Sequence, residues 1–406
     1  MLYRKLYAGI MSHLDSHEVT VIAGPRQTGK TTLLNQLASY LNGKGEYVVF
    51  LTLEDHSILA RLNNHPENIF DFVLKDETRR AYILMDEIQY LSDPSNFLKL
   101  LYDKYAGSMK FVVTGSSAFY IDLKFKDSLA GRKRIFELYT LSLDEFLEFR
   151  MGNDVLVKEL NSMRIQPQYR PAAINEIKSL YNEYLTFGGY PAVVLANDPK
   201  EKLLILKDLL NSFVKRDIQE SNISDPDKFY RLMLLLAHQT GSLTNMHELS
   251  LTLKLSVTAV DNYLYVLRKC YHITFLKPFH GNIRKELTKM PKAYFQDLGL
   301  RNILLNQFNP VFQRIDRGEL AENYAFIRLR ELYTPENLFF WRTSDRNEVD
   351  FIVRNNSDTG EAIEIKYNDA LFQPGKYKLF SVKYPGYPLS VRAIETENAQ
   401  RDLIRL

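Results

Sequence analysis

The sequence predicts an α/β protein, and three observations carry that reading. Residues 1–140 alternate short apolar runs with helical patterns, as parallel strands joined by crossover helices do. A glycine-containing stretch ending in Gly29-Lys30-Thr31 joins the first of those runs to the first helical pattern. Residues 290–406 return to mixed helix and strand after a mostly helical middle. At roughly 100–200 residues per domain, 406 residues suffice for two to four cores. The expected division is 1–150, 151–240, 241–289 and 290–406.

The strand candidates of the first part are Val19–Ala23, Tyr47–Leu53, Tyr82–Met85, Lys110–Thr114 and Ile135–Leu138. Most are dense in Val, Ile, Phe or Leu without alternation, which suits strands covered on both faces. Helices are expected through 141–235, broken at Phe187-Gly-Gly-Tyr-Pro191, where two glycines and a proline force a turn. Two short helical patterns follow in 243–269. In the second, Ser256 is a plausible N-cap, and Val260, Leu264 and Leu267 recur at helical spacing. The apolar run Tyr271–Leu276 and the polar turn His280-Gly-Asn-Ile-Arg284-Lys285 come next. Two helices and then a hairpin is the order of a winged helix. The last part offers strands at Leu338–Arg342, Glu348–Arg354 and Ala362–Tyr367.

Composition narrows the class without naming a chemistry. With 45% hydrophobic and 25% charged residues the chain is of ordinary globular composition, neither disordered nor a disulfide scaffold. The 52 basic residues outnumber the 49 acidic ones by three, so bulk charge is not the basis of any nucleic-acid contact. A single cysteine, Cys270, allows no internal disulfide and fits a reducing compartment. No apolar run approaches the ~18 residues a bilayer span needs, and the amino terminus lacks a signal-peptide core. A cytoplasmic protein with no membrane partner is expected.

Gly24-Pro25-Arg26-Gln27-Thr28-Gly29-Lys30-Thr31-Thr32 matches G-x-x-x-x-G-K-[ST] between a strand and the helix Thr31–Leu41, the context this phosphate-binding loop requires. Its backbone N–H groups and the helix N-terminus would face phosphates, Lys30 would reach the β- and γ-phosphates, and Thr31 would ligate Mg²⁺. The strand Tyr82-Ile-Leu-Met-Asp86-Glu87 ends in two acids. Charge at a buried strand end is costly unless used. Here Asp86 would hold Mg²⁺ through water and Glu87 would polarise the attacking water. Lys110–Thr114, read as the strand between these two, ends in Gly115-Ser116-Ser117. Ser116, with Thr114 close behind, is the hydroxyl expected to sense the γ-phosphate or orient the water. Arg132 is either an arginine finger, in cis or across a subunit boundary, or an ordinary surface cation.

With Leu84-Met-Asp-Glu-Ile-Gln89, Val113-Thr-Gly-Ser116, Gly131-Arg132 and the Phe187–Pro191 break, the first 240 residues resemble the AAA+/STAND-related P-loop ATPases of bacteria and archaea. One departure stands at Thr140, where that family usually has proline. In that family the two motifs are the Walker A and Walker B elements, and the resemblance implies a nucleotide-binding domain followed by helices and a winged helix.

Such proteins commonly end in a domain resembling PD-(D/E)xK nucleases, an α+β restriction-endonuclease-like fold. Here Gly318-Glu-Leu-Ala-Glu322-Asn, Trp341-Arg-Thr343, Glu348-Val-Asp350 and Ile363-Glu364-Ile365-Lys366 carry the likeness. Asp350 and Glu364 on neighbouring strands could share one Mg²⁺, with Lys366 on the same side of its strand and Glu322 completing the cluster. Three readings stay open: an active hydrolase, a catalytically silent binding module, or a solvent-facing Glu-x-Lys pair. The sequence thus points to a Mg²⁺-dependent ATPase whose nucleotide state rearranges its C-terminal modules. An ATP-regulated DNA-binding protein or nuclease is the alternative. DNA, an unknown protein partner and self-assembly are all open.

Overall fold

The computed structural model describes residues 2–74, 79–115, 129–221, 223–280, 286, 289–356 and 358–406. Ser116 and the turn residues Arg284 and Lys285 lie outside them. The chain forms two units, residues 1–140 with the short stretch 269–271, and residues 141–268 with 272–406.

The first unit opens with α1 (Leu6–Met11), followed by β1 (Val19–Ala23), α2 (Lys30–Gly43), β2 (Tyr47–Thr52) and α3 (His56–Asn64). It continues with β3 (Ala81–Asp86), α4 (Pro94–Tyr105), β4 (Met109–Gly115) and β5 (Lys133–Glu137). The strands make a wholly parallel sheet in the order β2-β3-β4-β1-β5. As the sequence suggested, β4 lies between β1 and β3. β1, β3 and β4 are buried along their whole length. Separate apolar clusters cover the two sheet faces, one around Ile83, Met85 and Phe111, the other around Leu33, Leu37 and Leu84. This double cover is why the strands read as apolar runs without alternation.

The second unit begins with α5 (Leu143–Met151), whose start is fixed by a capping box: Ser142 Oγ accepts from Glu145 N and Glu145 Oε2 accepts from Ser142 N. Then come α6 (Val155–Ile165), α7 (Ile174–Phe187), α8 (Pro191–Leu195), α9 (Pro199–Glu220), α10 (Pro226–His238), α11 (Met246–Leu253) and α12 (Val257–Lys269). Ser256 Oγ accepts from Ala259 N at 3.1 Å, as its N-cap reading required. The exposed residues of α12 are Val257, Thr258, Asp261, Asn262 and Arg268, which form no basic stripe.

The remaining elements are β6 (Ile273–Pro278), β7 (Lys292–Phe295), α13 (Leu298–Leu305), α14 (Arg317–Leu332), β8 (Leu338–Arg342), β9 (Glu348–Arg354), β10 (Gly360–Asn368), α15 (Lys378–Lys383) and β11 (Leu389–Glu395). They build a mixed sheet in the order β11-β10-β9-β8-β6-β7. β6 pairs with both β7 and β8, so one sheet runs through the boundary expected at 289/290. One apolar core, from Phe146 and Tyr184 through Tyr324 to Phe351 and Ile363, joins the helices to this sheet. Among the described residues no helix is long and apolar enough to cross a membrane.

The break at Phe187–Pro191 is a structural joint. Gly188 has φ +74°, and a Cβ there would collide with Asp297 Oδ1. The Asp297 carboxylate accepts from Gly189 N at 2.8 Å and caps α13 by accepting from Leu300 N at 2.9 Å. Replacing Gly188 by alanine should therefore cost roughly 3 kcal/mol or more of stability, combining backbone strain with a clash against a committed cap. Urea unfolding checks this, and an unchanged midpoint would contradict it.

Candidate nucleotide-binding site

The carboxyl ends of β1, β3 and β4 place the first constellation. The loop leaves β1 at Gly24, where a Cβ would run into the Leu138 carbonyl oxygen; no side chain fits. Gln27 at φ 59° and Gly29 at φ 92° curl the backbone so that α2 begins at Lys30. Thr28 is buried, and its Oγ1 donates to Pro25 O at 2.9 Å. Sequence reasoning missed Arg4, which braces the loop from outside. Its guanidinium donates to Thr28 O and to Tyr139 O, each at 2.7 Å. Nothing in the spacing around Arg4 signals this, because the partners are backbone carbonyls.

Lys30 is almost wholly buried, and its Nζ donates to Gly24 O at 3.0 Å and Pro25 O at 2.7 Å. Burial pulls its ammonium down to about 8, partly offset by the nearby charge of Glu87. Thr31 Oγ1 donates to Asp86 Oδ2 at 2.7 Å, and Thr114 Oγ1 donates to the other oxygen, Asp86 Oδ1. Thr114 also accepts from Glu87 N at 2.9 Å. It is thus the hydroxyl that the structure joins to both acids; Ser116 lies outside the described residues. Glu87 adopts a left-handed backbone, φ 57°, which costs a non-glycine residue roughly 1–3 kcal/mol. Gln89 Nε2 donates to its carboxylate, a further partner not singled out in the sequence. Thr31 and Thr32 are exposed at the start of α2. Thr31 and Asp86 offer oxygen donors alone, the type Mg²⁺ selects, so these residues fit the ion.

Arg132 is not brought to this site. It precedes β5, and its carbonyl accepts from Val19 N at the opposite, amino end of β1. Five strand residues, about 16 Å at 3.3 Å each, separate that edge from Gly24. Its side chain pairs with Asp103 at 2.7 Å. An arginine finger acting in cis from this position is therefore ruled out by geometry.

The C-terminal residues do converge. Lys366 Nζ bonds Glu364, Asp350 N donates to Glu364 Oε2 at 3.4 Å, and Ile365 N donates to Asp350 Oδ2 at 2.8 Å. Glu364 is only 4% exposed, so a solvent-facing pair does not describe it. The centre of the cluster, however, is Lys292, which the sequence reading overlooked. Its Nζ stands 2.9 Å from Glu322, 2.6 Å from Glu348 and 3.9 Å from Asp350. Tyr294 donates to Glu322 at 2.6 Å, and Arg342 pairs with Glu348 at 2.5 Å. Burial pushes Glu322 and Asp350 up to about 7. Burial also works against the charge of Lys292, but Glu322, Asp350 and Glu348 outweigh it and hold the ammonium above its ordinary value.

Three cations thus meet four carboxylates here, leaving little of the excess negative charge a divalent ion requires. Among the described residues no three His, Cys, Asp or Glu side chains are arranged to hold a metal. The Mg²⁺ that Asp350, Glu364 and Glu322 could share fits this arrangement poorly, because two lysine ammoniums, Lys292 beside Glu322 and Asp350 and Lys366 on Glu364, already take up charge there.

Residues 16–147 match the family model of an AAA domain. Residues 178–310 and 317–386 match two domains of unknown function, DUF8612 and DUF4143. An uncharacterized protein of Haemophilus influenzae is 26% identical over 370 residues, covering 88% of this chain and 84% of its own. An uncharacterized protein of Methanocaldococcus jannaschii is 25% identical over 362 residues, covering 87% of this chain and 76% of its own. Among solved structures, PCH-2 of C. elegans aligns at a TM-score of 0.32 and 16% identity, over 65% of this chain and 70% of that one. The replication initiator DnaA bound to AMPPCP and single-stranded DNA aligns at 0.29 and 16%, over 65% of this chain and 86% of its own. The loop and the two strand-end acids all lie within the segment that matches the AAA-domain model, so this part of the first unit is similar to AAA-type P-loop domains.

Removing Lys292 leaves its carboxylates buried and uncompensated. Lys292→Met should destabilise the second unit by about 3–5 kcal/mol, and adding Glu322→Gln should recover part of that loss. Chemical denaturation of the single and double variants measures both. A neutral single variant would show that the ammonium is not what holds the cluster.

Proposed function

We propose that the protein is a Mg²⁺-dependent ATPase. The observation that carries this reading is the hydroxyl-linked pair of acids, with Thr31 and Thr114 on Asp86 and Thr114 on the backbone of Glu87, beside a buried Lys30. Thr31 and Asp86 would hold Mg²⁺, which when bound would supply positive charge to offset the charge that develops in phosphoryl transfer. Lys30 now directs its ammonium to two loop carbonyls, and a β- or γ-phosphate oxygen is a stronger acceptor for the same donor. Glu87 orients the attacking water and polarises its O–H toward the carboxylate as oxygen attacks the γ-phosphorus. The bond to the β-phosphate oxygen then breaks, leaving ADP and inorganic phosphate. Thr114 ties the positions of both acids together, so a change at the γ-phosphate reaches β4 directly. We further read α11, α12 and the β6–β7 pair as a winged helix, and the nucleotide state as coupled to rearrangement of the C-terminal modules. The DNA-binding alternative gains nothing from the exposed residues of α12.

Glu87→Gln keeps the shape of the side chain and removes its basicity. It should retain ATP binding while turnover falls 100-fold or more, since general-base contributions are of order 10²–10⁴. Fluorescent-nucleotide titration and phosphate release separate the two quantities, and wild-type turnover would reject Glu87 as the base.

The lowered pKa of Lys30 sets a pH dependence. In the free protein the ammonium is lost as pH rises through about 8, whereas a bound phosphate favours the protonated form. Nucleotide binding should therefore take up protons near pH 8 and weaken above it. Calorimetry in buffers of different ionisation enthalpy gives the proton count, and a count of zero at about pH 8 would contradict the assignment.

A further inference from the structure

The second unit contains a concave pocket of about 510 Å³ between the end of α6, β11 and the chain's final turn. Four arginines line it, Arg164, Arg392, Arg401 and Arg405, and its lining includes no Asp or Glu. Two of them are paired outside the lining, Arg164 with Asp144 at 2.7 Å and Arg401 with Asp369 at 3.3 Å. Arg392 and Arg405 make no ion pair among the described residues. With only two of the four guanidinium groups met by a paired carboxylate, the lining keeps positive charge that a bound anion would offset.

Two of the guanidinium groups are also held in place by backbone carbonyls. Arg405 donates to the carbonyls of Met163, Gln166 and Tyr169 at the end of α6, and Arg392 donates to Gln400 O. Those bonds fix the forks in advance, which reduces the ordering cost of binding. Phe372 and Leu389 complete the lining with an apolar surface.

We propose that this pocket is a binding site for a small phosphorylated anion, separate from the nucleotide loop. Planar guanidinium forks suit the paired oxygens of a phosphoryl group, and the volume lies within the roughly 300–1,000 Å³ of small-ligand sites. A diffusible ligand fits a pocket of this size better than a strand of nucleic acid, which needs an extended groove. The phosphoryl group could be inorganic or carried on an organic body resting against Phe372 and Leu389.

The test uses the full chain carrying Lys30→Ala, which disables the loop so that remaining binding reports on the pocket. Isothermal titration with inorganic pyrophosphate and with ADP should show binding to this protein. Adding Arg392→Gln, or separately Arg401→Gln, should weaken it tenfold or more while the circular dichroism spectrum and melting midpoint are retained. Preference for ADP assigns an organic phosphate, and equal or better binding of pyrophosphate assigns an inorganic one; either supports the site. Absence of binding by both probes, or binding unaffected by both arginine substitutions, would overturn it. The two variants lie on different segments, so misfolding of one leaves the other decisive.

Discussion

A carboxylate at the end of a buried strand has to be satisfied, and the nucleotide site follows from how Asp86 is satisfied. Each of its oxygens accepts a hydroxyl, one from the helix after the phosphate loop and one from the neighbouring strand. Hydrogen bonds to a charged acceptor contribute roughly 1.5–3 kcal/mol each, enough to fix three elements against one another. The strain at Glu87 is tolerable because Thr114 accepts its N–H. Parallel order with β4 between β1 and β3 makes that contact possible, since it brings three strand ends to one edge.

The second unit solves the same problem differently. Its acids are too many for hydroxyls and backbone N–H groups, and an internal lysine supplies the missing charge. A tethered ammonium is always present, whereas an ion must be captured, so the cluster has its cation from the moment it folds. That arrangement favours permanence over exchange. It separates the two acidic sites of this chain chemically: one offers oxygen donors with an exposed threonine beside them, the other has its charge already met.

Much of this was legible in the sequence where chemistry and local pattern coincide. The strand Val19–Ala23 and the strands Leu338–Arg342 and Glu348–Arg354 have the bounds expected from their residues. The loop, Asp86 and Glu87 announce themselves because a glycine pattern and an acidic strand end are both costly without a use. What escaped is tertiary. Arg4 acts through carbonyls, which carry no sequence signal. Lys292 looks like any charged residue until it is seen to be buried. β11 is an edge strand whose Leu-Ser-Val-Arg-Ala-Ile alternation is short, and nothing local says that it pairs in parallel with β10. Which edge of the sheet Arg132 occupies was likewise not legible, since closeness in sequence to the last strand does not specify it.

The continuity of the mixed sheet bears on how this architecture can be inherited. β6 and β7 fall in one family segment, 178–310, while β8, β9 and β10 fall in the next, 317–386. Yet β6 is hydrogen-bonded to β8. If either segment were shuffled into another gene alone, it would carry an open strand edge, the kind of surface that templates aggregation. Separating the two segments would leave unpaired the β6 and β8 edges that now bond to each other.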